Sequence, residues 1–130
     1  MRKLFLFGIA LSLSACMMAG KQDLIEKSLK DQLIITGKTD LLTDCIIDQF
    51  ETEPRTISWV QAYVTRVHKR ADGSVEILGG INDVYYWMTV LTPQNDNQVL
   101  VDITARKLPN RSDTHMLRRV RRNVQNCAAG

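Results

Sequence analysis

Four arginines that lie within five residues near the end of the chain could bind anionic groups. The guanidinium group of arginine can form two parallel hydrogen bonds with a carboxylate or a phosphate, which makes arginine well suited to recognising them. At helical spacing these side chains face away from an apolar stripe of Leu117, Val120 and Val124. We interpret the cluster either as a solvated helix surface or as a contact surface for an acidic partner, anionic lipid or an acidic cell-wall polymer. Its members are Arg118, Arg119, Arg121 and Arg122.

The two histidines, His68 and His115, are not accompanied by a motif of nucleophilic or metal catalysis. A Ser-His-Asp site needs a nucleophile within reach of an oriented base, and the chain contains no GxSxG, Walker or HExxH pattern. We interpret His68, which precedes Lys69 and Arg70, as a solvated side chain. Paired carboxylates are the alternative catalytic arrangement, because acids distant in the sequence can meet in a fold, and no spacing selects a pair. No catalytic residue, metal ligand or cofactor is assigned.

The first sixteen residues have the pattern of an export signal. Two basic residues precede an apolar run from Leu4 to Leu13, which has the length of a signal-peptide core and is too short to span a bilayer. The run ends in Leu13-Ser14-Ala15-Cys16, which resembles the lipobox of bacterial lipoproteins. The resemblance covers residues 1–16 only. It implies a signal peptide over residues 1–15, a diacylglyceryl thioether on Cys16 and, usually, a fatty acid such as palmitate on its amine.

The residue after the lipobox bears on localisation. In Gram-negative lipoproteins an Asp at this position tends to retain the protein in the inner membrane. Met17 therefore implies an outer-membrane lipoprotein that faces the periplasm, if the source is Gram-negative. The alternative is an ordinary secretory signal that is cut near Ala15 or Ala19.

The other two cysteines, Cys45 and Cys127, form an even pair in a chain expected to reach an oxidising compartment. Both lie on apolar stripes at helical spacing, so both thiols are expected to point into one core. A disulfide between them would close a loop of about 80 residues and stabilise the fold by about 4 kcal/mol in the chain-entropy model. The alternatives are two buried free thiols or a metal site, and neither cysteine has a second ligand at metal-site spacing.

After removal of the signal, the chain has room for one domain. We expect residues 16–21 to form the lipidated cysteine and a tether, and residues 22–130 to form a single α+β domain. The composition is ordinary for a globular protein, with 45% hydrophobic and 24% charged residues. Acidic residues are concentrated between Asp23 and Glu53, and basic residues between Arg106 and Arg122. The domain is therefore expected to be dipolar.

The pattern of apolar residues predicts helices at both ends of the domain and strands in the middle. Asp72-Gly73 is a turn signal, and Gly79-Gly80 is interpreted as a bend or bulge. The resulting fold is α+β, with a single antiparallel four-stranded sheet, N-terminal helices and a C-terminal helix on one face, and one disulfide. The predicted helices are Lys21–Leu33, Thr39 or Asp40 to Phe50, and Ser112–Cys127. The predicted strands are Ile57–Lys69 (with a helix as the alternative), Val75–Leu78, Val84–Thr92 and Gln98–Ala105.

Three consecutive aromatic residues lie on one predicted strand. Strict alternation would place Tyr86 on one face and Tyr85 and Trp87 on the other. If one face covers the core, the other shows aromatic surface, which often marks a binding site. Tyr85 and Trp87 are therefore candidates for partner contact, and the alternative is a strand that is buried on both sides.

These features favour a lipid-anchored periplasmic binding module that recognises another protein, of the kind found among secretion or pilus assembly factors and immunity or inhibitor proteins. The alternative is a structural envelope lipoprotein that binds peptidoglycan or anionic lipid, and a cell-wall-acting enzyme is the third hypothesis. The expected partners are the membrane, through the N-terminal lipid, and a protein of the envelope. Nucleic acid is not expected, because the protein carries an export signal.

Overall fold

A computed structural model describes residues 19–52, 64–81, 84–109 and 111–128. These residues form an α+β fold with one antiparallel sheet. The elements in chain order are α1 (Ala19–Lys27), β1 (Ser28–Thr36), α2 (Thr39–Glu51), β2 (Val64–Lys69), β3 (Val75–Ile81), β4 (Val84–Asn95), β5 (Gln98–Arg106) and α3 (His115–Asn126).

The sheet has five strands in the order β1-β5-β4-β3-β2, and not the four that the sequence predicts. The predicted meander is present as β2 to β5, with the part of the predicted strand from residue 57 to 63 outside the described residues. The fifth strand is β1, which pairs along its whole length with β5. The predicted helix from Lys21 to Leu33 therefore ends at Lys27. Leu29 and Leu33 are four residues apart, a spacing that fits one side of a helix and one side of a strand equally well.

The larger core lies between the helices α2 and α3 and one side of the sheet. We call this side of the sheet the two-helix face and define it by Ile77, Leu91 and Val101. Phe50 of α2 stacks on Trp87 of β4 with 4.1 Å between the ring centroids. Other buried members are Leu42, Ile46, Ile103, Met116, Val120 and Val124.

The opposite side of the sheet, the α1 face, is defined by Glu76, Leu78 and Met88. Leu24 of α1 is buried there against Leu78 and Met88. The expectation that N-terminal and C-terminal helices share one face is therefore wrong for α1. Leu78, Met88 and Val90 point away from α2 and α3, and α1 is the helix that covers them.

The predicted disulfide joins the two helices of the larger core. Cys45 of α2 and Cys127, just after α3, are bonded across 82 positions of sequence, with 5.8 Å between their Cα atoms. Helix α3 begins at His115, not at Ser112, and Thr114 occupies the position before it without a side-chain cap.

Gly79 and Gly80 lie inside β3 and do not interrupt it. The register with β4 shifts between them, so the predicted bulge is present. A Cβ on Gly79 would overlap the Trp87 indole, and one on Gly80 would lie 2.6 Å from the carbonyl oxygen of Val84. The predicted loop at Pro93 is also displaced, since β4 continues to Asn95.

Candidate interaction surfaces

Two of the four arginines predicted to face outward are exposed on α3. Val120 and Val124 of the predicted stripe are buried, whereas Leu117 is half-buried and Met116, outside that stripe, is buried. Arg118 and Arg122, one turn apart, are consequently exposed on the outer side of the helix, whereas Arg119 and Arg121 are half-buried. Arg118 Nη2 lies 3.4 Å from the Ser112 hydroxyl.

Arg121 connects α3 to the sheet through an acidic residue of β1. Its guanidinium donates a hydrogen bond to the carboxylate of Asp31 on β1 and forms an ion pair with it. Partial burial acts to raise the pKa of Asp31, but the hydrogen bonds from Arg121 and from the Gln32 backbone N–H hold that pKa below its ordinary value. Arg121 therefore fixes α3 to the edge strand, and Arg118 and Arg122 form the outward part of the cluster.

Helix α2, which lies beside α3, carries the opposite charge. It contains four acidic residues and no basic residue. The disulfide holds the two helices together, and Asn126 Nδ2 lies 3.5 Å from Gln49 Oε1. The dipole seen in the sequence thus becomes an acidic helix beside a basic helix. The acidic residues, all exposed, are Asp40, Asp44, Asp48 and Glu51.

The aromatic strand does not form the predicted surface. Trp87 is 0% exposed, so it has no area to offer a partner. Tyr85 is half-buried on the α1 face beside Leu78 and Met88, and Tyr86 packs against the larger core. Tyr85 and Trp87 therefore lie on opposite sides of the sheet. The cause is the bulge, at which Trp87 pairs with Gly79 and Tyr85 pairs with Gly80, so that Tyr86 is an extra residue in β4. Because Gly79 and Gly80 face opposite sides of the sheet, their partners Trp87 and Tyr85 do so as well.

A buried carboxylate that the sequence analysis did not select holds the start of α1. Glu76 of β3 is 2% exposed, and its two oxygens lie 2.6 Å from Lys21 Nζ and 2.6 Å from Arg70 Nη2. Burial acts to raise the pKa of Glu76, but the hydrogen bonds from Lys21 and Arg70 hold that pKa below its ordinary value. The available signal was an acid inside the apolar run Val75–Leu78, because a buried carboxylate needs cationic partners.

A second group of charges fixes the other half of α1. Asp23 Oδ1 lies 2.8 Å from Lys27 Nζ, and Asp23 Oδ2 lies 3.2 Å from Arg106 Nη1 at the end of β5. Arg106 also donates a hydrogen bond from Nε to the carbonyl oxygen of Tyr85, at 2.9 Å. Hydrogen bonds from Lys27 and Arg106 lower the pKa of the Asp23 carboxyl. Together with the buried Leu24, these contacts make α1 a docked element and not part of a loose tether.

A cleft of about 500 Å³ lies between the start of α2 and the turn that joins β2 to β3. Asp40 and Asp44 line one wall, Lys69 lies on another, and Val75 and Pro93 contribute apolar surface. Two neighbouring carboxylates alone do not make a metal site, and no group of three or more potential metal-ligating residues occurs in the described part of the chain.

The histidines lie on different sides of the molecule. His68 is exposed on β2 and opposes Glu76, which places it on the α1 face. His115 begins α3, on the two-helix face. The fold therefore does not combine them in one site.

Comparison with protein-family models, curated proteins and solved structures finds no match to this chain. Among the described residues, no helix has the length and apolar content needed to cross a membrane.

Proposed function

We propose that this protein is a lipid-anchored module of the bacterial envelope that binds another protein through Arg118 and Arg122. Its support is the lipobox-like end of the signal segment, Leu13–Cys16, together with the exposed arginines of α3. The observation that carries the proposal is that α1 and α3 lie on opposite faces of the sheet.

The position of α1 relates the anchor to the arginines. Two residues separate Cys16 from Ala19, so a lipid on Cys16 lies within about 11 Å of the start of α1. Glu76 fixes α1 to the sheet through Lys21. In this proposal the α1 face is turned toward the membrane and α3 is turned toward the periplasm, where it can meet a partner.

The charges of the two helices define the chemistry of that partner. Arg118 and Arg122 are one helical turn apart, about 6 Å between Cβ atoms, and fit a pair of carboxylates on the partner. The adjacent acidic helix α2 repels the same carboxylates. A partner with an acidic patch beside a basic or neutral one would therefore bind in one orientation, because like charges across an interface are costly. Assembly factors and inhibitor-type proteins of the envelope are the proposed class.

A capture experiment from detergent-solubilised envelopes tests the proposal. We expect the acylated protein to retain one stoichiometric partner and the double variant Arg118→Glu/Arg122→Glu to lose it. The control, Lys30→Glu/Lys38→Glu, makes the same change in net charge at exposed positions outside α3 and should retain the partner. Equal capture by both double variants would remove α3 from the proposed interface.

The anchor has its own readout. The mature protein extracted from membranes should have the mass of a chain that begins at Cys16 plus a diacylglyceryl group and, usually, one more acyl chain. The variant Cys16→Ala should lack this added mass and leave the membrane fraction. An unmodified mass of the wild-type protein would contradict the proposed lipid anchor. If the capture experiment retains no partner and the protein co-sediments with purified sacculi, a wall-binding role would replace protein binding.

A further inference from the structure

Basic residues line the edge of the sheet on the α1 face. β2 is an edge strand, and its residues Arg66 and His68 oppose Leu78 and Glu76, which places both side chains on that face. Both are exposed, and so is Val64 two positions earlier on the same side. The edge therefore presents cationic side chains next to a small apolar one.

The ion pairs at the start of α1 extend this surface. The side chains of Lys21 and Arg70 are each 39% exposed, although both bind Glu76. The exposed Asp72, two residues after Arg70, interacts electrostatically with it at the border of this surface. Lys21, Arg66, His68, Arg70 and Glu76 together carry a net charge of +2 with His68 neutral. We call these five residues the basic edge.

One end of the basic edge, Lys21, is close in sequence to the proposed anchor. Lys21 is five residues after Cys16 and is held on the sheet by Glu76. The acidic residues of α2 lie on the opposite side of the sheet, as α2 packs on the two-helix face. An anionic surface would therefore attract the α1 face and repel α2. This attraction would turn the α1 face toward the membrane, as the proposed lipid on Cys16 also would.

We infer that the basic edge binds the head groups of anionic phospholipids in the membrane that holds the protein. This inference rests on the proposed anchoring at Cys16 and adds a second contact, which fixes how the domain lies on the bilayer. Each Lys or Arg near an anionic surface contributes about five-fold in binding, and the attraction decays over about 8 Å at physiological ionic strength. The short connection between Cys16 and α1 keeps Lys21, at one end of the basic edge, close to the bilayer.

The test uses chemical coupling, so it does not depend on acylation in the cell. In the mature chain from Cys16 to Gly130, Cys16 is the one thiol outside the disulfide. It can be joined to a maleimide lipid in vesicles of phosphatidylcholine with or without 30% phosphatidylglycerol. Hydrogen exchange is then measured for peptides that cover β2 and α3.

We expect phosphatidylglycerol to slow exchange in β2 and to leave α3 unchanged, and 0.5 M salt to abolish the difference. Arg66→Glu should remove the slowing in β2. The control Arg118→Glu makes the same change in net charge on the two-helix face and should preserve it.

Equal exchange of β2 on the two kinds of vesicle would overturn the inference, and so would equal effects of Arg66→Glu and Arg118→Glu. Neither result would bear on the protein partner proposed for α3, which is measured by capture. Conversely, loss of the acyl mass in cells would contradict the anchor without changing the result on coupled vesicles.

Discussion

Trp87 occupies the space that a side chain on Gly79 would need, and this single contact organises the middle of the sheet. The indole lies over Gly79 on the neighbouring strand and stacks on Phe50 of α2. A glycine in a strand commonly marks such a close approach. The pair therefore connects the bulge in β3 and β4 with the packing of a helix.

We predict that Gly79→Ala lowers the free energy of unfolding by about 1–3 kcal/mol, because the added methyl group must displace the indole in a packed core. Chemical denaturation measures the change. The matched background is Trp87→Leu, in which the same substitution should cost at least about 1 kcal/mol less. An equal cost in both backgrounds would mean that Trp87 is not the obstacle.

The arginines of α3 have different roles although their side chains are identical. Arg121 is bound to Asp31, whereas Arg118 is exposed one turn away. Changing Arg121 would expose or unpair an acid on β1, and its effect on binding would be mixed with an effect on folding. Arg118 and Arg122 are the informative positions on α3 because both are exposed.

Among the elements, α2 and α3 depend on each other. They cover the same side of the sheet, bury residues in one core and are joined by the disulfide Cys45–Cys127. A bond across 82 positions restricts the unfolded chain strongly, and it fixes an acidic helix beside a basic one.

We predict that Cys45→Ala/Cys127→Ala lowers the free energy of unfolding by about 4 kcal/mol, from the loop-closure entropy of the unfolded chain. The measurement is denaturation in the Cys16→Ala background, where the disulfide contains the remaining cysteines. Reductant should produce a similar loss in the Cys16→Ala protein and no loss in the triple variant. A denaturation midpoint that reductant does not change would contradict a structural role for the bond.

For the whole molecule, the ion pairs of α1 and β1 make stability depend on pH. The pKa of Glu76 and that of Asp31 are lowered by cations that outweigh burial, and that of Asp23 is lowered by Lys27 and Arg106. The pKa of Asp72 is lowered by the hydroxyl and the backbone N–H of Ser74. In each case the unfolded chain binds the proton more tightly than the folded chain does.

We therefore predict that the free energy of unfolding is nearly constant from pH 7 to about pH 5. It should then fall as the pH drops below about 4, where carboxyls of an unfolded chain begin to protonate, and through the lower pKa values of the folded state. Urea denaturation at a series of pH values measures the curve. Glu76→Gln should make the fall in the free energy of unfolding at acid pH less steep. Asp96→Asn, at an exposed turn, should leave the slope of that fall unchanged. If the slope at acid pH is the same in Glu76→Gln as in the wild-type protein, the Glu76 carboxylate does not contribute to the pH dependence of stability.

The sequence by itself determined the features that depend on local periodicity and on residue type. The stripes of α2 and α3 predict part of their buried residues, among them Ile46, Phe50, Val120 and Val124. The two cysteines on those stripes predict the disulfide, and the alternating strands predict the meander from β2 to β5. The exposure of Arg118 and Arg122 follows from the same stripe. The signal segment and its lipobox remain predictions, since they lie outside the described residues.

Only the tertiary structure decided which side of the sheet each element covers and which residues meet across it. The spacing of Leu29 and Leu33 fits a helix and a strand, and pairing with β5 selects the strand. The bulge at Gly79 places Tyr85 and Trp87 on opposite faces of the sheet. Helix α1 packs on the face that carries Glu76, where Lys21 forms an ion pair with this buried carboxylate. Local spacing fixes which side chains of an element point the same way, but the direction itself is set by contacts between residues far apart in the chain.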